Sequence, residues 1–125
     1  MEVEILRSRD ELEETKPFRV ETLLWGTKKI PETFGYLGYV PGEGFYLKMV
    51  CVEKDPLRTY IADQDPVYQD SAMEAFLQFE SAREREDSPI YMNFEVNANG
   101  ALLAGYGTSR IYRSYFSKED LEEIG

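Results

Sequence analysis

The sequence predicts an all-β domain, an antiparallel β-sandwich with a short C-terminal helix. One observation is the segment 91–97, YMNFEVN, in which polar and apolar residues alternate strictly, as they do in a half-buried strand. A second is the segment 44–53, GFYLKMVCVE, whose apolar residues fall on both sides, as in a strand covered on both faces. A third is the glycine, proline and aspartate between such segments, which favours turns over long helices.

In the first half of the chain, residues 3–6 predict a short strand, and residues 18–25, FRVETLLW, predict a second because polar and apolar residues alternate. Residues 26–44 contain five glycines and two prolines, and we predict turns and a long aromatic-rich loop there. Residues 44–53 are the best candidate for a central strand. Cys51 within it is expected to be a small core residue.

In the second half, residues 54–70 contain two Asp-Pro steps, which disfavour helix and predict a loop beside the sheet. Residues 71–79 and 90–97 predict two strands joined by a charged connection. An alternative is a single helix over residues 70–88, because alanine, methionine, glutamate, leucine and glutamine all favour helix. The spacing of Ser117 and Asp120 predicts the start of a short C-terminal helix.

Composition excludes several classes of function. The chain has 24 acidic and 14 basic residues, a net charge of −10, so neither nucleic acid nor an anionic membrane is expected as a partner. It has no histidine, which removes Ser-His-Asp and Cys-His catalysis and most zinc sites, and its single cysteine removes an intrachain disulfide. We expect one domain over residues 1–125.

The N-terminal segment lacks the apolar run of a signal peptide. As written, the sequence therefore predicts a cytoplasmic protein, and a secreted one only if a leader or a larger parent chain was removed.

Pairing the two strands of the second half through their apolar sides limits the register to pairs whose residue numbers sum to an odd value, and one natural register places Glu74 opposite Glu95. Phe76 then faces Asn93, and a slip of one residue would turn every side chain over. Two facing carboxylates repel, so a compensating group is expected. The candidates are a basic neighbour, a calcium ion, or a ligand whose hydroxyls donate to these acceptors. The basic candidates are Lys48, Arg110 and Arg113.

The polar side of this strand pair is expected to face water. It combines amides, carboxylates and aromatic rings, as a site for sugars requires, because a sugar presents hydroxyl edges and an apolar C–H face. The alternative is an ordinary solvent-facing sheet surface, which also alternates polar and apolar residues.

The segments PVYQDSAMEAFLQF and YMNFEVNANGALLAGYG together resemble the family-nine carbohydrate-binding modules and related stand-alone proteins. The resemblance implies an immunoglobulin-like β-sandwich that binds sugars without catalysis, with calcium as a structural ion. It implies glucan- or xylan-type oligosaccharides or polysaccharides as partners and a role in carbohydrate catabolism. Family domains continue past the point that matches Gly125, so we expect a domain truncated at its C-terminal end. Open strand edges would then favour a homo-oligomer.

By this resemblance Glu74 matches a sugar-contacting carboxylate, and Tyr68 lies next to the position of a stacking tryptophan. No catalytic residue is assigned, and the metal ligands stay unassigned. The candidate sugar-binding residues are Tyr68, Gln69, Asp70, Glu74, Asn93, Glu95 and Trp25.

Two other functions compete with sugar binding. One is an interaction or scaffold domain that meets a protein partner through the predicted aromatic loop from Thr33 to Tyr46. The other is a retaining glycosidase that uses Glu74 and Glu95, since carboxyl groups about 5–5.5 Å apart suit that mechanism.

Overall fold

A computed structural model describes residues 2–24, 26–79 and 90–124. The described residues form two four-stranded sheets, which are mainly antiparallel, and one short α-helix at the C-terminal end. The all-β fold class is confirmed. The chain divides into two compact units, Met1–Lys54 and Asp55–Gly125, and each contains one sheet. No helix in the described ranges is both long and apolar enough to cross a membrane.

The first unit is built around one long strand. Its elements are β1 (Glu4–Ile5), a 3-10 helix (Arg9–Glu14), β2 (Phe18–Arg19), β3 (Glu32–Val40) and β4 (Gly44–Val52). β3 pairs with β4 antiparallel along its full length. Its other edge pairs first with β2, antiparallel, and then with β1, parallel. The short strand near the N-terminus is confirmed, whereas β2 covers only two residues of the strand predicted over residues 18–25.

The prediction of a loop over residues 26–44 is wrong for Glu32–Val40, which is the central strand of this sheet. Glycine led to the error, because here it marks close packing rather than a turn. A Cβ at Gly35 would lie 2.5 Å from the carbonyl oxygen of Lys48, and one at Gly38 would meet the side chain of Leu6. The aromatic residues from Thr33 to Tyr46 therefore lie in two paired strands and the turn between them.

The strand predicted over residues 44–53 is confirmed as β4, but its predicted central position is wrong. Within the described residues β4 pairs only with β3, so it is an edge strand. Leu47 and Val52 are exposed accordingly. Cys51 is half-buried, not a core residue, and the Thr33 hydroxyl lies 3.5 Å from its sulfur. The two-sided apolar pattern indicates a strand without fixing its place in a sheet.

The second unit is a four-stranded antiparallel meander. Its elements are a 3-10 helix (Val67–Gln69), β5 (Ala72–Gln78), β6 (Tyr91–Asn97), β7 (Leu102–Gly107), β8 (Arg113–Tyr115) and α1 (Lys118–Ile124). Both predicted strands are confirmed, and the alternative helix is wrong over β5. The part of that helix that would cover residues 80–88 lies outside the described residues.

The predicted start of the C-terminal helix is confirmed as a reciprocal cap. The Asp120 amide donates to Ser117 Oγ at 3.1 Å, and the Ser117 amide donates to Asp120 Oδ2 at 2.9 Å. These bonds satisfy polar groups at the helix start that have no partner within the helix.

The loop over residues 57–70 is fastened to the second sheet. β8 pairs with only the last part of β7, and the loop takes the place of a strand beside the first part. The backbone N–H of Gln64 donates to the Leu102 carbonyl at 2.8 Å. The Gln64 side chain accepts from the Ala104 amide at 3.1 Å and donates to the Phe116 carbonyl at 2.8 Å. The predicted loop beside the sheet is thus confirmed.

Substitution of Gly35 by alanine should lower the free energy of unfolding by about 1–3 kcal/mol, because the added methyl group has no room against β4. Urea denaturation measures this loss. The control is Gly42→Asn, in a turn with open space around the Cβ position, where φ is 86° and asparagine is among the residues that best tolerate a positive φ. Equal stability of Gly35→Ala and the unsubstituted protein would contradict the close packing of β3.

Candidate functional site

One face of the second sheet collects the polar residues of β5 and β6. Residues paired across neighbouring strands point to the same face, and β6 lies between β5 and β7. The register predicted from the sequence is confirmed, with Glu74 opposite Glu95 and Phe76 opposite Asn93. This polar face consists of Glu74, Phe76, Gln78, Tyr91, Asn93, Glu95, Asn97, Leu103, Gly105, Gly107, Arg113 and Tyr115.

The expectation that the polar side of β6 faces water is wrong. Asn93, Glu95 and Asn97 are only 1%, 5% and 4% exposed, whereas Glu74 on β5 is exposed as predicted. At one end of the face, Val67 from the loop packs with Ala101 and Leu103 beside Asn97 and Glu95. Alternation gives the direction of a side chain relative to its sheet, but not what lies over that face.

Hydrogen bonds link the buried polar residues to the guanidinium group of Arg113. Asn93 Nδ2 donates to Glu95 Oε1 at 2.7 Å, and Arg113 Nη1 donates to Asn93 Oδ1 at 3.2 Å. Arg113 Nη2 donates to the Tyr115 hydroxyl at 3.2 Å. Of the basic residues predicted to compensate the carboxylate pair, Arg113 is therefore placed to do so. Lys48 lies in the first unit and pairs with Glu13 there at 2.6 Å.

The Glu95 carboxyl group is held in an unfavourable setting for its charge. Burial raises its pKa, and the charge of Glu74 raises it further. Arg113, the hydrogen bond from Asn93 and the more distant Arg110 act in the opposite direction without cancelling the effect. Glu95 Oε2 is buried and has no hydrogen-bond partner among the described residues. The site thus contains a buried carboxyl oxygen that lacks a donor.

Two exposed aromatic rings flank this polar row. Phe76 on β5 is 60% exposed and Tyr115 on β8 is 54% exposed, and the cross-strand row between them is Asn93 and Gly105. Strands lie about 4.8 Å apart, so the two outer strands are about 14 Å apart. A Cβ at Gly105 would lie 2.8 Å from the Ser114 carbonyl oxygen. Because Gly105 has no side chain, the middle of the row does not project above the sheet as the flanking rings do.

Asp70 and Gln69, both predicted to bind sugar, make contacts that hold the loop together. Asp70 Oδ2 accepts from the Tyr60 amide at 2.9 Å and from Asn97 Nδ2 at 2.8 Å, and both Asp70 oxygens lie within 3 Å of the Thr59 amide. These bonds lower the pKa of Asp70 despite the opposing effect of burial. Gln69 Oε1 accepts from the Tyr60 hydroxyl at 2.9 Å.

The structure brings three of the remaining predicted residues together. Glu74, Asn93 and Glu95 are neighbours on the polar face. Tyr68 is exposed on the 3-10 helix, which lies against β5 and β6. Trp25 lies outside the described residues.

Sequence reasoning missed Tyr115 as a site residue, and it considered Arg113 only as a neutralising charge. The pattern that could have found both is the i, i+2 spacing in RSY, which puts the two side chains on the same face of a short strand. The Arg113 guanidinium carbon lies 5.2 Å from the centre of the Tyr115 ring. That distance is within the range of a cation–π contact.

The calcium ion implied by the resemblance finds no side-chain cage in the part of the chain that the structure describes. Calcium prefers six to eight oxygen ligands, commonly with several carboxylates. Within the described residues no three acidic, cysteine or histidine side chains are grouped to hold a metal. The Glu95 carboxylate has the positive charge of Arg113 near it.

The family model for carbohydrate-binding family 9 matches residues 13–125. The chain belongs to carbohydrate-binding family 9. This match covers the polar face and all the candidate residues, including those outside the described ranges. Comparison with curated proteins and comparison with solved structures gave no match. Membership of carbohydrate-binding family 9 makes a saccharide the expected class of ligand, and it names no particular sugar.

Titration of the Glu95 carboxyl group, followed by ¹³C NMR, should give a midpoint above that of an ordinary glutamate. Glu74→Gln removes a negative charge and should lower this pKa, whereas Arg113→Gln removes a positive charge and should raise it further. A Glu95 midpoint at or below the ordinary value would contradict the burial of its carboxyl group.

The raised pKa of Glu95 also determines the direction in which the stability of the protein changes with pH. The folded chain holds the Glu95 proton more tightly than the unfolded chain does, so this contribution to stability is present below the ordinary glutamate pKa. It is lost as the pH rises through the folded pKa. As the pH rises from the ordinary glutamate pKa through the folded pKa of Glu95, Glu95→Gln should therefore gain stability relative to the unsubstituted protein. Urea denaturation at a series of pH values measures it, and a shift in favour of the unsubstituted protein would contradict the sign.

Proposed function

We propose that this member of carbohydrate-binding family 9 binds glucan- or xylan-type oligosaccharides on the polar face of its second sheet, without catalysis. The observation that carries the proposal is the hydrogen-bonded row of Arg113, Asn93 and Glu95, of which Asn93 and Glu95 are buried, beside the exposed rings of Phe76 and Tyr115. Family membership supports a saccharide ligand, and the polar face supports the place where it binds.

The polar row offers fixed hydrogen-bonding groups to sugar hydroxyls. The side chains of Asn93 and Glu95 are held by each other and by Arg113, so little conformational freedom is lost when a ligand binds. Glu95 Oε2 lacks a donor among the residues that the structure describes, and a sugar hydroxyl is one. A hydroxyl that reaches this oxygen would satisfy a buried group that is costly to leave unpaired.

The flanking rings offer apolar surface to the C–H face of a sugar ring. Phe76 packs against Tyr91 with ring centroids 5.9 Å apart, and this contact helps to hold the Phe76 ring in place. Tyr115 is held on the other side by its hydrogen bond from Arg113. Tyr68, exposed on its 3-10 helix, offers a third ring at the loop end of the strand pair. Ligand sites commonly combine apolar walls with a few fixed polar groups in this way.

The facing carboxyl groups of Glu74 and Glu95 also raise the question of hydrolysis. A retaining glycosidase needs one carboxyl group as nucleophile and one as acid, with the scissile bond between them. Here Glu95 is buried and bonded to Asn93, and Glu74 alone is exposed. This arrangement favours binding over catalysis. Release of nitrophenol from aryl glycosides, abolished by either Glu74→Gln or Glu95→Gln, would contradict it.

Replacement of Phe76 by alanine should weaken binding of cellobiose or xylobiose about tenfold, because the ring contact contributes roughly 1.5 kcal/mol. Isothermal titration calorimetry measures the affinity. Phe45→Ala is the matched control, since Phe45 is a comparably exposed phenylalanine that packs on a tyrosine, 4.9 Å away, in the first sheet. It should leave the affinity unchanged.

The proposal fails if neither disaccharide binds to the unsubstituted protein. It also fails if Phe45→Ala weakens binding while Phe76→Ala does not, because the first sheet would then hold the ligand.

A further inference from the structure

We propose that the polar face prefers amino sugars, with a protonated amine of the ligand bound between Glu74 and Glu95. This inference rests on the proposed function and specifies its ligand class. The ligand would bind the same polar face. What it adds is a positively charged amine on the sugar ring, beside Glu74 and Glu95.

The two carboxyl groups face each other across β5 and β6. Directly opposed residues of an antiparallel pair have Cα atoms about 4.5–5.5 Å apart, so their side chains are close enough to share one ligand group. Neither glutamate takes part in an ion pair among the described residues. The charge of Glu74 acts unfavourably on Glu95, and a cation placed between them would reverse that effect.

A second observation concerns the hydrogen bonding of Glu95 rather than its position opposite Glu74. The Glu95 side chain is more than nine-tenths buried, and its Oε2 atom has no donor within the described part of the chain. Because this oxygen is also shielded from water, a ligand group reaches it only when a neighbouring side chain moves aside. Glu74 is exposed and has a flexible side chain, so it can turn outward and follow the ligand charge.

An ammonium group suits this site better than a hydroxyl group does. It carries three donors, enough to bond both carboxylates at once, whereas a hydroxyl carries one. Hydrogen bonds between charged partners are also the stronger kind. The Phe76 ring adds to the preference, because it is exposed two residues along β5 from Glu74 on the same face, and an aromatic face attracts a cation as well as the apolar face of a sugar.

Arg113 does not fill this role itself. Its two hydrogen bonds described above go to Asn93 and to the Tyr115 hydroxyl, so it supports the carboxylate through the amide. The overall charge of −10 would also draw a cationic ligand toward the protein. That attraction is unspecific, and the experiment has to separate it from binding at the pair.

Three disaccharides with the same β-1,4 linkage test the proposal by calorimetry: cellobiose, the disaccharide of glucosamine, and its N,N′-diacetyl form. The measurements are made at mildly acidic pH, where the amine is protonated. The glucosamine disaccharide should bind about tenfold more tightly than cellobiose, since it adds a charged hydrogen bond. The acetylated form has no positive charge and should lose this advantage.

Glu74→Gln and Glu95→Gln should each lower the ratio of the two affinities, for the glucosamine disaccharide over cellobiose, from about ten to near one. Glu74 is exposed, so the first variant keeps the test decisive even if the second does not fold. Glu53→Gln is the matched control, because it removes one exposed carboxylate from the first unit and the same unit of net charge. It should leave the preference intact.

Equal affinity for cellobiose and the glucosamine disaccharide overturns this inference and leaves the proposed function standing. A preference that survives both site variants, or that falls equally in Glu53→Gln, also overturns it, since the attraction would then be unspecific. Absence of binding by all three disaccharides and by xylobiose overturns the proposed function together with the inference.

Discussion

In the antiparallel pair of β5 and β6, Glu74 lies opposite Glu95 and Phe76 lies opposite Asn93. The other features of the polar face depend on this register. A shift by one residue would put Met92 and Phe94 where the amide and the carboxyl group now lie. The bond from Asn93 to Glu95 and the bond from Arg113 to Asn93 could then not form. The register thus brings the carboxyl groups of Glu74 and Glu95, the amide of Asn93 and the ring of Phe76 together on one face.

Burial of a carboxyl group and two amides in the middle of a strand is unfavourable unless their polar atoms are bonded. Asn97 is fully engaged: its Nδ2 donates to Asp70 and to the Tyr60 carbonyl, and its Oδ1 accepts two backbone amides. Glu95 differs, because one of its oxygens is left without a donor. Such a local exception among satisfied neighbours is expected where a protein meets a ligand. Asn97 therefore supports the loop, whereas Glu95 belongs to the proposed site.

The sequence predicts some of these features well because they depend on side-chain period alone. β5, β6 and their register follow from alternation and the need to bury one apolar side. β3 does not, because its glycines permit close packing that a local pattern does not distinguish from a turn. The burial of Asn93 and Glu95 depends on parts of the chain that are distant in sequence, such as Arg113 on β8 and the loop around Val67. Tyr115 belongs to a strand of three residues, whose i, i+2 spacing with Arg113 is a weak signal by itself. Features set by contacts between distant residues were the ones that escaped prediction.

The most direct test of the central claim is an NMR titration of the labelled protein with cellobiose and with xylobiose, followed through backbone and side-chain amide signals. The account predicts chemical shift changes that cluster on residues 74–76, 93–95, 105 and 113–115, including the side-chain amide of Asn93. Changes confined to the first sheet, over residues 32–52, would contradict it. So would saturation of binding with no change in the Asn93 signals.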